Sequence, residues 1–216
     1  MEKLKFRGTI LSIQPRIRLI RSFDEFSHAY SGYVLRISGA TDQGKVTEEE
    51  GKLRKFSVAI GKGTQSKYQF QAGDQISGLC LPVPDERLET AQYYKVCMLA
   101  HVTGKVDLQK PPPPWTGIPP DLETYRNRGH RRLASRTYSS KCSACIWGCR
   151  MPVQIIIDHW EPEKKEYRFE TFCYGPLSCN YYKPGPTRKV KGRKGMIYEE
   201  EDWVDEEMTG HRCPDE

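Results

Sequence analysis

The sequence predicts a mainly β protein: a five-stranded Greek-key barrel in its first half and a small cysteine-stapled β-hairpin unit in its second. Three observations point there. Between Lys5 and Val106, five segments rich in β-branched and aromatic residues are divided by bends bearing Gly, Asp and Gln. From Lys110 to Pro120 there are six prolines in eleven residues, which cannot continue a sheet and favour an extended spacer. Beyond it, five of the eight cysteines fall between Cys142 and Cys179. The expected organisation is therefore a barrel over 1–107, a Pro-rich linker over 108–120, a cysteine unit with basic flanks over 121–196 and an acidic tail over 197–216.

The first strand joins Phe6–Ile13 to Arg16–Arg21, with a bulge near Pro15 because proline cannot donate to a ladder. Ser31–Gly39 is the second and Leu53–Ile60 the third, separated by a polar loop. Gly61–Asp74 carries a turn, with one helical turn inside it, and ends in a Gly-Asp bend. Gln75–Leu81 and Tyr93–Val102 are the fourth and fifth strands. Alternation places Arg16 and Arg18 on one side of the first strand and Ile17 and Leu19 on the other. Arg36 opposes the face of Leu35 and Ile37, and Lys95 shares a face with Tyr93. Tyr33, Phe56, Tyr68 and Tyr94 read as packing residues, and Cys80 and Cys97, inside apolar strands, as small buried hydrophobes.

Five strands with a short insert between the third and fourth, and above all Phe70-Gln-Ala-Gly-Asp-Gln-Ile-Ser-Gly78, make this half resemble OB-fold domains. The resemblance is one of architecture. It implies a curved sheet holding an oligonucleotide, with Arg16, Arg18, Arg36 and Lys95 as the barrel-side contacts. Cations beside aromatic rings suit single strands of DNA or RNA, since phosphates meet the charge while bases stack.

After the spacer, Asp121 caps a short helix running toward Ser135. Cys142 and Cys145 form a C-x2-C pair, the spacing with which one tight turn brings two thiolates to a single metal. Gly148 supplies permissive backbone nearby. Val153–Trp160, a polar turn over Glu161–Glu166 and Tyr167–Phe172 read as a hairpin that returns Cys173 and Cys179 to the first pair. Cysteine turn, hairpin and cysteine turn resemble a zinc ribbon at Cys142, Cys145, Cys173 and Cys179, which implies Zn2+ on those four thiolates. The second pair is spaced C-x5-C. Cys149 is an alternative ligand, because Cys142, Cys145, Cys149 and Cys179 also suit an iron–sulfur cluster. Disulfides are the further alternative, weakened by the absence of a secretory signal pattern.

The formal net charge is +6 and the pI about 8.8, yet cations concentrate around the cysteine unit. Arg131 and Arg132 precede it, Lys189 and Arg193 follow it, and these four are the expected phosphate contacts there. Glu199–Met208 carries seven acids in ten positions around Trp203, either a helix docking through Trp203 or an exposed acidic segment. No apolar run approaches the roughly 20 residues needed to span a bilayer, so a cytoplasmic protein with no membrane partner is expected. P-loop, nucleophile-elbow and zinc-deaminase patterns are absent, and four thiolates would close a zinc to catalysis. The expected function is binding of single-stranded nucleic acid without catalysis. The rivals are an iron–sulfur redox or sensing protein and a structural adaptor meeting protein through the cysteine unit or the Trp203 tail.

Overall fold

A computed structural model describes residues 2–23, 25–42, 53–102, 113–161, 163–200 and 202–213. The chain is mainly β. Strands β1 (Leu4–Arg21), β2 (Phe26–Thr41), β3 (Arg54–Ile60), β4 (Gln75–Pro82) and β5 (Tyr93–His101) occupy the first half, with α1 (Lys62–Tyr68) between β3 and β4. The second half adds α2 (Leu122–Arg128), β6 (Arg131–Arg132), α3 (Ser135–Ser140), β7 (Gly148–Ile156), β8 (Lys165–Cys173), β9 (Arg188–Lys191), β10 (Ile197–Glu200) and α4 (Asp202–Thr209). Among the described residues no helix is long and apolar enough to cross a membrane.

Eight strands form one sheet in the order β2-β3-β5-β4-β1-β7-β8-β6, and β2 also pairs with β1. The pairings β1–β2–β3–β5–β4–β1 thus return to the strand they start from. All are antiparallel except β3 with β5, a contact at Val58 and Tyr93. Beyond the end of its β4 pairing, β1 runs on and pairs in parallel with β7, Leu19–Arg21 against Val153–Ile155. The cysteine hairpin β7–β8 is therefore an extension of the large sheet. The expected boundary at 107/108 and the first prolines of the spacer lie outside the described residues. Pro113–Pro120 lies against the protein: Trp115 O accepts from Ile146 N at 2.8 Å and Pro120 O from Tyr33 Oη at 2.7 Å.

Bulges set which side chains face inward. Phe6 and Ile10 are buried in the first part of β1, Leu11 is exposed, and Ile13, Ile17 and Leu19 are buried beyond it. The extra residue is Leu11, since Ile10 pairs with Ile37 and Ser12 with Arg36. A one-residue bulge swaps the two faces of a strand, so the core changes from even to odd positions there. The sequence places one irregularity, near Pro15; the β1–β2 ladder has two, at Leu11 on β1 and at Ser31 on β2, while Pro15 keeps its place opposite Tyr33. Leu35, Ile37, Val58, Phe70 and Ile76 join Met151, Val153, Ile155 and Phe172 in one continuous core. At roughly 1.5–3 kcal/mol for each fully buried side chain of this kind, that core binds the two halves together.

The acidic tail docks by charge, and Trp203 stays half exposed. Arg132 is fully buried and carries its own set of acceptors. Its Nε donates to Asp205 Oδ2 at 3.0 Å, its Nη1 to Glu200 O at 2.7 Å, and its Nη2 to Asp202 Oδ1. Arg21 pairs with Glu200 at 2.6 Å in equally buried surroundings. Asp202 and Asp205 also stand in the first turn of α4, where the helix dipole favours anions. The far end of α4 requires Gly129, which has φ 65° and on which a Cβ would lie 2.1 Å from Met208 O.

Removing one partner of a buried pair strands the other charge, whereas an exposed partner contributes little. Asp205→Ala is therefore expected to destabilise the protein by roughly 3 kcal/mol in urea unfolding. Asp202→Ala, whose carboxylate is 83% exposed, should cost under about 1 kcal/mol.

Candidate nucleic-acid groove and cysteine cavity

Two concave features stand out, one where the halves meet and one within the second half. The larger is a groove of about 720 Å3. Arg36 on β2 and Lys55 and Ser57 on β3 form one wall; Tyr138 and Ser139 on α3, Arg150 on β7 and Phe169 on β8 form the other. Antiparallel register sets Arg36 opposite Ser57, so Lys55 projects from the same face two residues away. Arg36, Lys55 and Arg150 are exposed and have no ion pair among the described residues. No carboxylate lines the groove among the described residues. Three cations without ion pairs among the described residues, facing hydroxyls and aromatic rings, make a surface of positive potential.

The floor is tied together by Gln14. Its Nε2 donates to Cys142 O and Cys145 O, each at 2.9 Å, and its Oε1 accepts from Tyr138 Oη at 2.6 Å. One buried β1 side chain thus holds both the cysteine turn and the aromatic wall of the groove. Gly148 is needed for closeness rather than for an unusual φ. A Cβ there would sit 2.4 Å from Cys142 O and 2.8 Å from Gln14 Nε2.

The smaller feature is a cavity of about 10 Å3, lined by Cys142, Cys145, Cys173 and Cys179 together with Trp115, Trp147 and Gly175. All four cysteines expected to meet line this one cavity. Backbone N–H groups of Trp147 and Trp115 point to the Cys145 sulfur, and that of Gly175 donates to Cys173 Sγ at 3.4 Å. Donors two residues after each of these cysteines would stabilise thiolate charge, as would Arg131 beside Cys173. Burial acts the other way, pushing the Cys142 thiol up to about 12 and Cys145 to about 11. Among the described residues no three His, Cys, Asp or Glu groups are drawn together as a formed metal site. Cys149 is elsewhere: fully buried in the core, its thiol donates to Pro15 O at 3.5 Å.

The other expected contacts separate into two groups. Arg16 is paired with Glu89, which lies in the loop before β5. Arg131 donates to Pro176 O at 3.0 Å and stacks on Tyr182, Arg132 is consumed by Asp202 and Asp205, and Lys189 meets Glu199 at 2.8 Å. Each of these four has an acceptor of its own, so none is an unpaired cation. Arg18 is half-buried on β1, Lys95 is exposed over the Tyr94 ring, and Arg193 is exposed on the β9–β10 turn; none of the three lines the groove. Only Arg36 among the eight does. Lys55, Arg150 and Phe169 were not singled out as contacts. The alternation of Lys55 with Phe56 was a usable signal for the face, but the register that aligns it with Arg36 belongs to the sheet.

Overpacking at a tight backbone contact costs about 1–3 kcal/mol, so Gly148→Ala should lower unfolding free energy by that amount. Gly63→Ala, where a Cβ meets nothing within 4 Å, is the control and should show no such loss. No family model, curated protein or solved structure matches this chain, so its function is inferred from the groove and the cysteine cavity alone.

Proposed function

We propose that this protein binds single-stranded nucleic acid in the groove between its halves, with the first half acting as an OB-like barrel and the second as a zinc-stapled, ribbon-like unit. The observation that carries the proposal is the groove wall itself: Arg36, Lys55 and Arg150, with no carboxylate in the lining among the described residues. The ring of pairings β1–β2–β3–β5–β4–β1, with α1 between β3 and β4, supports the barrel. The groove opens on the β2–β3 side of that ring and is walled by the second half, a shape suited to one strand.

Zinc would be held by Cys142, Cys145, Cys173 and Cys179. Four thiolates would leave it no open position, so its part is to crosslink the Cys142 turn to the end of β8. The cavity's size suits a single ion, and Cys149 lies in the core; both favour zinc over the iron–sulfur alternative. The thiols, held protonated by burial, would release protons as metal binds.

Labelled single strands of DNA and RNA, titrated against the protein at several salt concentrations, test the binding. With phosphate contacts from Arg36 and Lys55 the slope of log affinity against log salt should be about −1.4, and Arg36→Ala or Lys55→Ala should each reduce it by about 0.7. Absence of binding to both sugars at low salt would overturn the proposal and favour a structural adaptor. For the metal, elemental analysis should find about one zinc per chain. Cys142→Ser should lose that zinc and melt at a lower temperature. Metal-free protein after zinc supplementation, with Cys142→Ser equally stable, would refute the staple.

A further inference from the structure

We infer that Arg150 and Phe169 form a stacking platform for one nucleobase, supplied by the second half of the chain, an inference that rests on the groove being a single-strand site. Six arginines lie over aromatic rings among the described residues, and five of them donate to an acceptor. Arg87 bonds Asp85 and Arg126 bonds Glu123, while Arg128 donates to Tyr174 O, Arg131 to Pro176 O and Arg188 to Thr171 O. In those five the ring supports a guanidinium already committed to the protein. Arg150 differs: its guanidinium carbon is 4.1 Å from the Phe169 ring centre, and it has no hydrogen-bond or ion-pair partner among the described residues.

Both residues are exposed, Phe169 at 37%, and both line the groove beside Arg36 and Tyr138. An exposed phenylalanine on a strand costs solubility and is explained if its ring orders the arginine. The guanidinium is flat, weakly hydrated and pinned on one side, so it suits a second flat group on its other side. A nucleobase is that group, because Arg36 and Lys55 stand in the same groove to take the adjoining phosphates. Ser57, Ser139 and Ser143 add hydroxyls within the lining. Base stacking contributes about 1–3 kcal/mol and tolerates any base, so the platform gives affinity for strands without fixing sequence.

The test compares a base-bearing deoxyoligonucleotide with an abasic strand of equal length and charge, using the full chain. The wild-type protein should bind the abasic strand roughly tenfold more weakly. Phe169→Ala should lose a similar factor for the base-bearing strand alone, and Phe169→Trp should restore it and show emission quenched by that strand. Thermal melting of each variant separates loss of stacking from loss of fold; with its ring only 37% exposed, Phe169→Ala should lower melting modestly and Phe169→Trp should not, while both stay folded at the temperature of the titration. Equal wild-type affinity for the two strands, or an equal loss on both in Phe169→Ala, would overturn the platform while leaving phosphate binding intact. Absence of binding to either strand would overturn both the platform and the groove's proposed role.

Discussion

Strand β1 is hydrogen-bonded to three partners, and this shared ladder is what the rest of the molecule depends on. Its first residues pair with β4, its whole length pairs with β2, and its last residues pair with β7. A strand of 18 residues is long for a small domain. The length is what lets one element belong to both halves. The β7–β8 hairpin then has no need to fold as an island, since Val153 and Ile155 enter the core that Ile17 and Leu19 already occupy. The Leu11 bulge is part of the same constraint. Without the change of phase there, Ile13, Ile17 and Leu19 would face solvent and the junction would have no apolar seam.

Charge completes what burial leaves open. The second half is rich in arginine, and a buried guanidinium is costly unless its donors are met. Arg132 and Arg188 are met by Asp205, Asp202 and Glu170, and Arg212 by the carbonyls of Gly129 and Gly175. The acidic tail is thus a set of counterions that closes the second half. Arg36, Lys55 and Arg150 are left without ion pairs in the groove, as Arg18, Lys95 and Arg193 are outside it, among the described residues.

Much of the architecture was legible in the residues themselves. The strands of the first half and the hairpin between the cysteine pairs occur close to their expected places, and Asp121 caps a helix as expected, though Gly129 ends it at Arg128, short of Ser135; β-branched alternation and capping act locally. Partnership was far less legible. Arg132 and Arg36 look alike in a sequence, yet one is fully buried against Asp205 and the other is exposed in the groove. Cys149 sits four residues after Cys145 and looks like a neighbour, but strand alternation turns it into the core. Trp203 reads as an anchor, and the carboxylates flanking it do the anchoring.

The sequence by itself determined the periodic and the short-range features: which stretches extend, where the chain turns, and which cysteines a hairpin brings near one another. Those depend on neighbours within a few residues, so composition and spacing suffice. Only the tertiary structure decided which cations remain free and that a groove exists at all, because register across the sheet, the Gln14 bridge and the return of the acidic tail join residues up to 179 positions apart. Such contacts are chosen by the whole core at once, and no local pattern encodes them.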